Sequence, residues 1–190
     1  MPTSVTAPAQ SYTMKLGVFS SDWASNPHWN SNAGTITVSA DTSKYNFECS
    51  SKQGWSFNSG GLVTGVSSST TQAYAGQRSL AVSLSGANST WGVWSKTSPL
   101  PGAGQTVTYR VWIPTGSTIT GAQAFVKQGA GGGWTFTGQY KSIAQLTAGA
   151  WNTFTVTVPT NAVIPLDSIG VEFSVGTSWT GTVYVDGVTW

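Results

Sequence analysis

Charged residues are scarce in this chain of 190 residues, where Lys, Arg, Asp and Glu together make up 7%. An average globular domain carries roughly a quarter. The formal net charge is +2, and the eight basic residues are scattered singly along the chain. No run of apolar residues approaches the length of about 20 that a membrane span needs. We therefore expect neither a nucleic acid nor a membrane as a partner, because both are recognised through clustered charge or long apolar segments.

Cysteine and histidine are nearly absent. Cys49 is the single cysteine, which excludes an internal disulfide and a cysteine-based metal site. His28 is the single histidine, which argues against a Ser-His-Asp site or a histidine-rich metal centre. The first residues lack the charged-then-apolar pattern of a signal peptide, so we interpret the start as an artificial boundary or the cut end of a longer protein. Low charge with abundant Ser, Thr and Trp nevertheless predicts a secreted, extracellular protein.

Aromatic and small residues take the place of the missing charges. The chain has ten Trp and 23 Gly, and 12% of its residues are aromatic. Gly, Ser and Thr are poor helix formers, which favours strands and turns. Apolar and polar residues alternate in several short segments, as in Val107, Tyr109 and Val111, which predicts half-buried strands. We therefore predict an all-β fold, a β-sandwich jelly roll of two antiparallel sheets. Its ten predicted strands are Tyr45–Cys49, Leu62–Ser67, Ser79–Leu84, Trp91–Lys96, Thr106–Ile113, Ala122–Gln128, Trp134–Tyr140, Thr153–Val158, Ser168–Val175 and Thr182–Trp190.

The first 43 residues differ from the rest. A loop-like stretch, Ser20–Gly34, separates two possible strands, Met14–Phe19 and Thr35–Ser39. Residues 1–43 are therefore predicted to be an N-terminal extension that adds strands to the sandwich, or else a linker. We favour the extension, because its apolar residues need burial. Residues 44–190 are predicted to form the jelly roll.

Four motifs in this order are familiar: Asn46-Phe47-Glu48, Gly54-Trp55, the segment Gly76–Leu80 and the closing segment Val183–Val188. The order resembles that of the jelly-roll carbohydrate-binding modules of plant cell-wall glycoside hydrolases, the broad group that includes families 4, 16, 22, 27 and 35. The resemblance covers roughly residues 44–190. It implies a module attached to a glycoside hydrolase, with a structural calcium ion and a glycan groove on one sheet. The turn after Glu48 departs from the usual acidic or glycine pattern, because Cys49-Ser50-Ser51-Lys52 stands there.

The resemblance also implies where the calcium ion lies. The Glu of the first strand and the Asp of the last strand hold it, which here are Glu48 and Asp186. Two adjacent carboxylates would repel each other without a cation, and Ca²⁺ needs six to eight oxygen ligands. Backbone carbonyls near Asn46, Tyr74 and Gln77 are the candidates that would complete its shell. The alternative is that both acids are solvated or paired with Lys or Arg.

A glycan reader needs aromatic side chains beside polar ones on the outward face of adjacent strands, because sugar rings offer C–H patches and hydroxyls. Several predicted strands have this composition. Trp55, Trp151 and Trp190 are expected to be structural, and Trp23 and Trp29 either contact sugar or pack the extension. The residues predicted to bind ligand on one sheet face are Trp94, Arg110, Trp112, Gln123, Phe125, Lys127, Trp134, Gln139, Glu172 and Trp179.

These residues predict non-catalytic binding of a neutral β-1,4-linked plant polysaccharide, such as mannan, glucan or xyloglucan, by a monomer tethered to a catalytic domain. A flat aromatic row for crystalline cellulose is the second choice. A structural or adhesin sandwich is an alternative, but it would not explain the surplus of aromatic residues. A small glycoside hydrolase is a further alternative. It needs two facing carboxyl groups. The acids besides Glu48 and Asp186 are Asp22, Asp41, Asp167 and Glu172, and only Glu172 with Asp167 or Asp22 remains as a possible pair, which nothing in the sequence brings together.

Overall fold

The computed structural model describes residues 11–21, 28–37 and 43–190. The chain forms two compact units, Met1–Thr42 and Ser43–Trp190. In the first unit, β1 (Ser11–Val18) pairs antiparallel with β2 (His28–Thr37) in a two-stranded sheet. The predicted loop over Ser20–Gly34 is therefore wrong from His28 onward, where backbone pairing with β1 makes a strand of a polar, glycine-containing segment. Trp23, Asp22 and Asp41 lie outside the described residues. The division into an extension and a jelly roll stays a prediction.

The second unit confirms the predicted β-sandwich of two antiparallel sheets. Its strands are β3 (Trp55–Phe57), β4 (Val63–Ser69), β5 (Ser79–Gly86), β6 (Ser89–Ser95), β7 (Thr106–Ile113), β8 (Ile119–Gln128), β9 (Phe136–Ser142), β10 (Ala150–Thr157), β11 (Leu166–Val175) and β12 (Trp179–Thr189). We call the two sheets the front sheet, with strand order β3-β6-β11-β8-β9, and the back sheet, with strand order β10-β7-β12-β5-β4. Two single turns of 3₁₀ helix, Ala130–Gly132 and Ile143–Gln145, lie on either side of β9, and no helix in the described part of the chain is long enough to cross a bilayer.

The core lies between the two sheets and is built from the alternating apolar residues. On β7, Val107, Tyr109, Val111 and Ile113 are fully buried, whereas Thr108, Arg110 and Trp112 face outward. The Tyr109 hydroxyl crosses the core and donates a hydrogen bond of 2.7 Å to the carbonyl oxygen of Phe125 on β8. Burial raises the pKa of Tyr109 well above its usual value, so the hydroxyl stays a donor. This bond ties the back sheet to the middle of the front sheet.

Two strand predictions fail for identifiable reasons. The predicted strand Tyr45–Cys49 is reduced to a bridge between Tyr45 and Val188. Phe47 has a φ of 59° and Ser50 a φ of 54°, left-handed conformations that interrupt an extended strand. The strand β3 was not predicted, because three residues are too few to show an alternating pattern.

Candidate functional site

The outward face of the front sheet carries large side chains and glycines side by side. One cross-strand row runs from Trp94 on β6 through Gly170 on β11 and Phe125 on β8 to Gly138 on β9. A Cβ atom at Gly170 would lie 2.6 Å from Cζ of Phe125, so the phenylalanine ring covers this glycine. The glycines therefore give the face its depth, because a side chain at either position would fill the space between the aromatic residues.

A cavity of about 360 Å³ opens on this face. That volume lies at the lower end of the range of roughly 300–1,000 Å³ that small-molecule sites span. Phe125 and Phe136 stack with ring centroids 4.8 Å apart and form an apolar wall, and Trp94 lines the cavity as well. The complete lining is Asn58, Trp94, Lys96, Phe125, Lys127, Phe136, Asp167, Ser168 and Glu172.

The charges in the cavity balance, with two lysines and two acids. Lys96 Nζ lies 2.9 Å from Asp167 Oδ1, and the Ser168 hydroxyl donates to Asp167 Oδ2 at 2.9 Å. Burial acts to raise the pKa of Asp167, but these hydrogen bonds and the charges of Lys96 and Lys127 together lower it. Burial raises the pKa of Glu172, and the charge of Lys127 opposes this only in part. The cavity thus offers a fixed ion pair at one end and a half-buried carboxyl group at the other.

Six of the ten residues predicted to bind ligand lie on the outward face of the front sheet or on its β8–β9 hairpin. Trp94, Phe125, Lys127 and Glu172 line the cavity. Gln123 pairs with Glu172 across the sheet. Trp134, 53% exposed, places its ring 5.4 Å from the Lys127 ammonium. Trp134 directly follows the tight Gly129–Gly133 turn, and its φ of 58° is rare for a bulky residue. Ligand contact by these residues stays a prediction.

The other four residues lie elsewhere, so the expectation of a single face is wrong for them. Arg110 and Trp112 face outward from β7, which belongs to the back sheet. Gln139 accepts a 2.8 Å hydrogen bond from the backbone N–H of Thr155 on β10 and so joins the two sheets at their edge. Trp179 begins β12 and packs against the core. Alternation showed which residues point outward but not which sheet each strand joins.

Arg110 and Trp112 form an aromatic group with Tyr74 and Trp151 on the back sheet. The Trp112 and Trp151 rings meet edge to face at 5.8 Å, and Tyr74 meets Trp151 in the same way at 5.9 Å. The Arg110 guanidinium lies 4.7 Å from the Tyr74 ring centroid and contacts the Thr153 hydroxyl. These rings contact one another edge to face instead of lying coplanar, as a row for a flat sugar chain would require. Trp55 is fully buried, as expected, whereas Trp151 packs outside the core.

Five cavity residues were not among those predicted to bind ligand: Asn58, Lys96, Phe136, Asp167 and Ser168. Phe136 lies at an outward position of β9, which was identified as a strand, so alternation alone could have identified it. Asn58 follows the unpredicted β3, and Lys96 follows β6. Their approach to the cavity depends on the pairing of β3, β6 and β11, which the sequence does not show.

Asp167 and Glu172, which nothing in the sequence brings together, share the cavity. Ser168 pairs with Lys127, and Glu172 pairs with Gln123 four residues away on β8, so roughly 13 Å of strand separates the backbone positions of Ser168 and Glu172. Asp167 is also paired with Lys96, so its carboxylate is not a free acid or base.

Asp186 and Glu48 meet on the loop that precedes β5. Asp186 is fully buried, and its Oδ2 accepts hydrogen bonds from the backbone N–H groups of Tyr74 and Ala75 at 2.7 and 3.2 Å. Its Oδ1 accepts one from Gly187 at 2.7 Å. Burial raises the pKa of Asp186 to about 6, because desolvation and the nearby charge of Glu48 outweigh these N–H donors.

Glu48 holds the same loop through one of its oxygens. Its Oε1 accepts hydrogen bonds from the N–H groups of Gln77 and Arg78 at 2.9 and 2.8 Å. Within the described chain, Oε2 accepts no hydrogen bond, and neither acid forms a salt bridge with Lys or Arg. Pairing with Lys or Arg, one of the alternatives to calcium, is thus not what the structure shows.

The backbone orientation argues against two of the predicted calcium ligands. In a trans peptide the N–H and the C=O point in opposite directions. The Ala75 N–H faces Asp186, so the carbonyl of Tyr74, in the same peptide, points away from that carboxylate. The Arg78 N–H faces Glu48, so the carbonyl of Gln77 points away from it for the same reason. Asn46 places its side-chain Oδ1 3.4 Å from the Glu48 N–H instead.

The two carboxylates do fit a cation. Glu48 Oε2 is free of hydrogen bonds within the described residues, and Asp186 Oδ1 accepts only one, so each oxygen retains a lone pair. In the described residues no His, Cys, Asp or Glu joins them as a third ligand, so carbonyl or water oxygens would have to complete the shell.

No family model and no curated protein matches the sequence. The structure is similar to one described as "structural basis for the promiscuous specificity of the carbohydrate-binding modules from the beta-sandwich super family" (25% identity, TM-score 0.73, 96% of this chain and 74% of that one). It is also similar to a non-crystalline cellulose specific carbohydrate-binding module, CBM28 (18% identity, TM-score 0.57, 81% of this chain and 98% of that one). A third similar structure is the CBM22-1 xylan-binding domain from Paenibacillus barcinonensis Xyn10C (18% identity, TM-score 0.52, 79% of this chain and 95% of that one). The last two likenesses concern the fold. The resemblance to jelly-roll carbohydrate-binding modules is thereby confirmed.

Proposed function

We propose that the sandwich is a non-catalytic carbohydrate-binding module that takes a polysaccharide chain into the front-sheet cavity. The single observation that carries this proposal is the composition of the cavity. Trp94, Phe125 and Phe136 offer ring surface for the C–H faces of sugar rings. Glu172 and Asn58 offer hydrogen-bond partners for hydroxyl groups beside those rings.

We propose a neutral ligand, a β-1,4-linked plant polysaccharide such as mannan, glucan or xyloglucan. The two lysines of the cavity are matched by two acids, so the site has no excess charge to recognise a uronic acid. A recessed cavity suits a single chain segment better than a crystalline surface. The similar structure at 25% identity is described as having promiscuous specificity, which is compatible with binding to more than one such glycan. Because a single open stacking contact contributes only about 1 kcal/mol, we expect dissociation constants in the micromolar to millimolar range.

Affinity electrophoresis in gels that contain soluble glucan, mannan, xyloglucan or xylan tests this function. We expect the protein to be retarded by at least one neutral polysaccharide and Trp94→Ala to lose that retardation. Trp112→Ala is the matched control, because it removes an outward tryptophan from the back sheet, and it should migrate like the wild type. Loss with Trp112→Ala and retention with Trp94→Ala would move the site to the back sheet. No retardation by any of the four would favour the structural or adhesin alternative.

We also propose that Glu48 and Asp186 hold a structural Ca²⁺ ion. Support comes from two neighbouring carboxylates without a cationic side chain and from the free Glu48 Oε2. The ion would join the loop before β5 to β12 and so stabilise the fold without entering the glycan site. Thermal unfolding with CaCl₂ and with a chelator tests this, with MgCl₂ as control, since Mg²⁺ demands a smaller and stricter octahedral shell. An unchanged melting temperature in calcium would refute the proposal.

Secretion, a monomeric state and attachment to a glycoside hydrolase complete the proposal. They rest on composition and on the resemblance of the motifs. A module of this kind would raise the concentration of a tethered enzyme on its polysaccharide, because binding of one part makes encounters of the other intramolecular.

A further inference from the structure

Exposed aromatic residues of the sandwich concentrate on the β8–β9 hairpin. Trp134, Phe136 and Tyr140 are 53%, 41% and 52% exposed. Phe136 and Lys127 line the cavity, and the Trp134 ring packs against the Lys127 ammonium. Tyr140 lies outside the cavity and has no part in the function proposed so far. Contiguous exposed apolar residues mark interaction sites, and Tyr140 shares this hairpin with two exposed aromatic residues beside the cavity.

Tyr140 continues the binding surface from the cavity. Gly138 and Tyr140 are successive outward positions of β9, and Phe136 precedes them on the same face. Tyr140 pairs with Gln123, which pairs in turn with Glu172. This row adjoins the row that contains Trp94 and Phe125. The half-buried carboxyl group of Glu172 and the amide of Gln123 therefore lead from the cavity to Tyr140 without an intervening ridge of large apolar side chains.

The Tyr140 ring lies over a glycine, as the Phe125 ring does inside the cavity. A Cβ atom at Gly121 would lie 2.2 Å from Oη and 2.6 Å from Cζ of Tyr140. The side chain therefore leans from β9 across β8, with the hydroxyl end of its ring against the glycine, while the residue remains 52% exposed. Among the described residues the Tyr140 hydroxyl has no hydrogen-bond partner, so it is available to a ligand.

We propose that Tyr140 is a distal stacking subsite for the same polysaccharide chain that fills the cavity. This inference rests on the proposed function and names the direction of the chain. From β6, which carries Trp94, to β9 there are three strand spacings, or about 14 Å. The glycan crosses the front sheet from Trp94 over Gly170 and the Glu172–Gln123 pair to Tyr140. A ligand must therefore be several sugar rings long to occupy both ends.

Titration calorimetry with cello-, manno- and xylo-oligosaccharides of three and six residues tests the subsite. We expect the wild type to bind the hexasaccharide of its preferred series more tightly than the trisaccharide. Tyr140→Ala should weaken hexasaccharide binding about five- to tenfold, as expected for one stacking contact, and should leave the trisaccharide unchanged. Tyr140→Phe should retain most of the affinity, because it keeps the ring. Gly121→Ala should reproduce a part of the loss, since its methyl group displaces the flexible end of Tyr140.

The outcomes separate the subsite from the function on which it rests. If Tyr140→Ala binds the hexasaccharide like the wild type while Trp94→Ala does not bind it, the cavity is correct and the Tyr140 subsite is refuted. If Tyr140→Ala weakens both ligands equally, Tyr140 belongs to the cavity and the distal position is wrong. If the wild type binds no oligosaccharide of the three series, both proposals fail together.

Discussion

The buried acid Asp186 makes the stability of the sandwich depend on pH. Its pKa is about 6 in the folded protein against 3.8 for an ordinary aspartate. The folded protein therefore retains this proton up to about pH 6, whereas the unfolded chain releases it near pH 4. Above pH 4 unfolding releases this proton, so the free energy of unfolding falls as the pH rises, and above about pH 6 the folded state itself carries the charge that burial disfavours. The difference of about two pKa units corresponds to a loss of about 3 kcal/mol in the free energy of unfolding between pH 4 and pH 7.

In a chelating buffer, this loss should lower the melting temperature as the pH rises from 4 to 7. For a domain of about 150 residues, 1 kcal/mol corresponds to roughly 2–4 °C, so the full effect is about 6–12 °C. Differential scanning calorimetry at closely spaced pH values measures it. Asp186→Asn is the control, because its side chain does not titrate and its melting temperature should change much less over this range even if the variant is less stable.

Calcium should reverse the trend, because an ion at the proposed Glu48–Asp186 site would bind the ionised carboxylates and so displace the proton. The rise in melting temperature on adding CaCl₂ should therefore be larger at pH 7 than at pH 5. A melting temperature of the chelated wild type that rises from pH 4 to pH 7, or an equal slope in Asp186→Asn, would refute this account of Asp186.

Three further predictions concern the core and the front sheet. Tyr109→Phe should lower the free energy of unfolding by about 1–2 kcal/mol, measured by urea unfolding, and leave glycan affinity near that of the wild type, since only the hydrogen bond to the Phe125 carbonyl is lost. Gly170→Ala should lower the free energy of unfolding by about 1–3 kcal/mol and abolish glycan binding, because its Cβ would lie 2.3 Å from the Val93 carbonyl oxygen. Gly116→Ala is the comparison variant, since Gly116 has open space around it but a φ of 72°. Glycan affinity should change less than twofold between 50 mM and 500 mM NaCl, because a neutral ligand gains nothing from charge attraction; a steep salt dependence would indicate an anionic ligand.

The sequence predicted the strands of the sandwich where side chains alternate. The bounds of β7 are those predicted, Thr106–Ile113, because four fully buried residues alternate with polar or amphipathic ones. Alternation carries no information where the backbone leaves the extended region, as at Phe47, or where a strand is as short as β3. In the first unit, β2 depends on pairing with β1, which the composition of its residues does not reveal.

The site was predictable only in part, since a site requires knowing which strands are neighbours. Trp94 and Trp112 both alternate with apolar residues, and both point outward, but their strands belong to different sheets. Gln139 was expected on the binding face, yet it bonds to β10 at the sheet edge, because its parity on β9 turns it toward the other sheet. Phe136 and Tyr140 have the opposite parity on the same strand and lie on the outward face.

The central claim is that the front-sheet cavity, and not the back-sheet aromatic group, binds a neutral polysaccharide. NMR spectra of the tryptophan indole N–H groups test it most directly, with assignment by the single variants Trp94→Phe, Trp112→Phe and Trp151→Phe. During titration with the oligosaccharide series that binds, we predict that the Trp94 signal shifts progressively while the Trp112 and Trp151 signals stay in place. A titration that shifts Trp112 and Trp151 and leaves Trp94 unchanged would contradict the account.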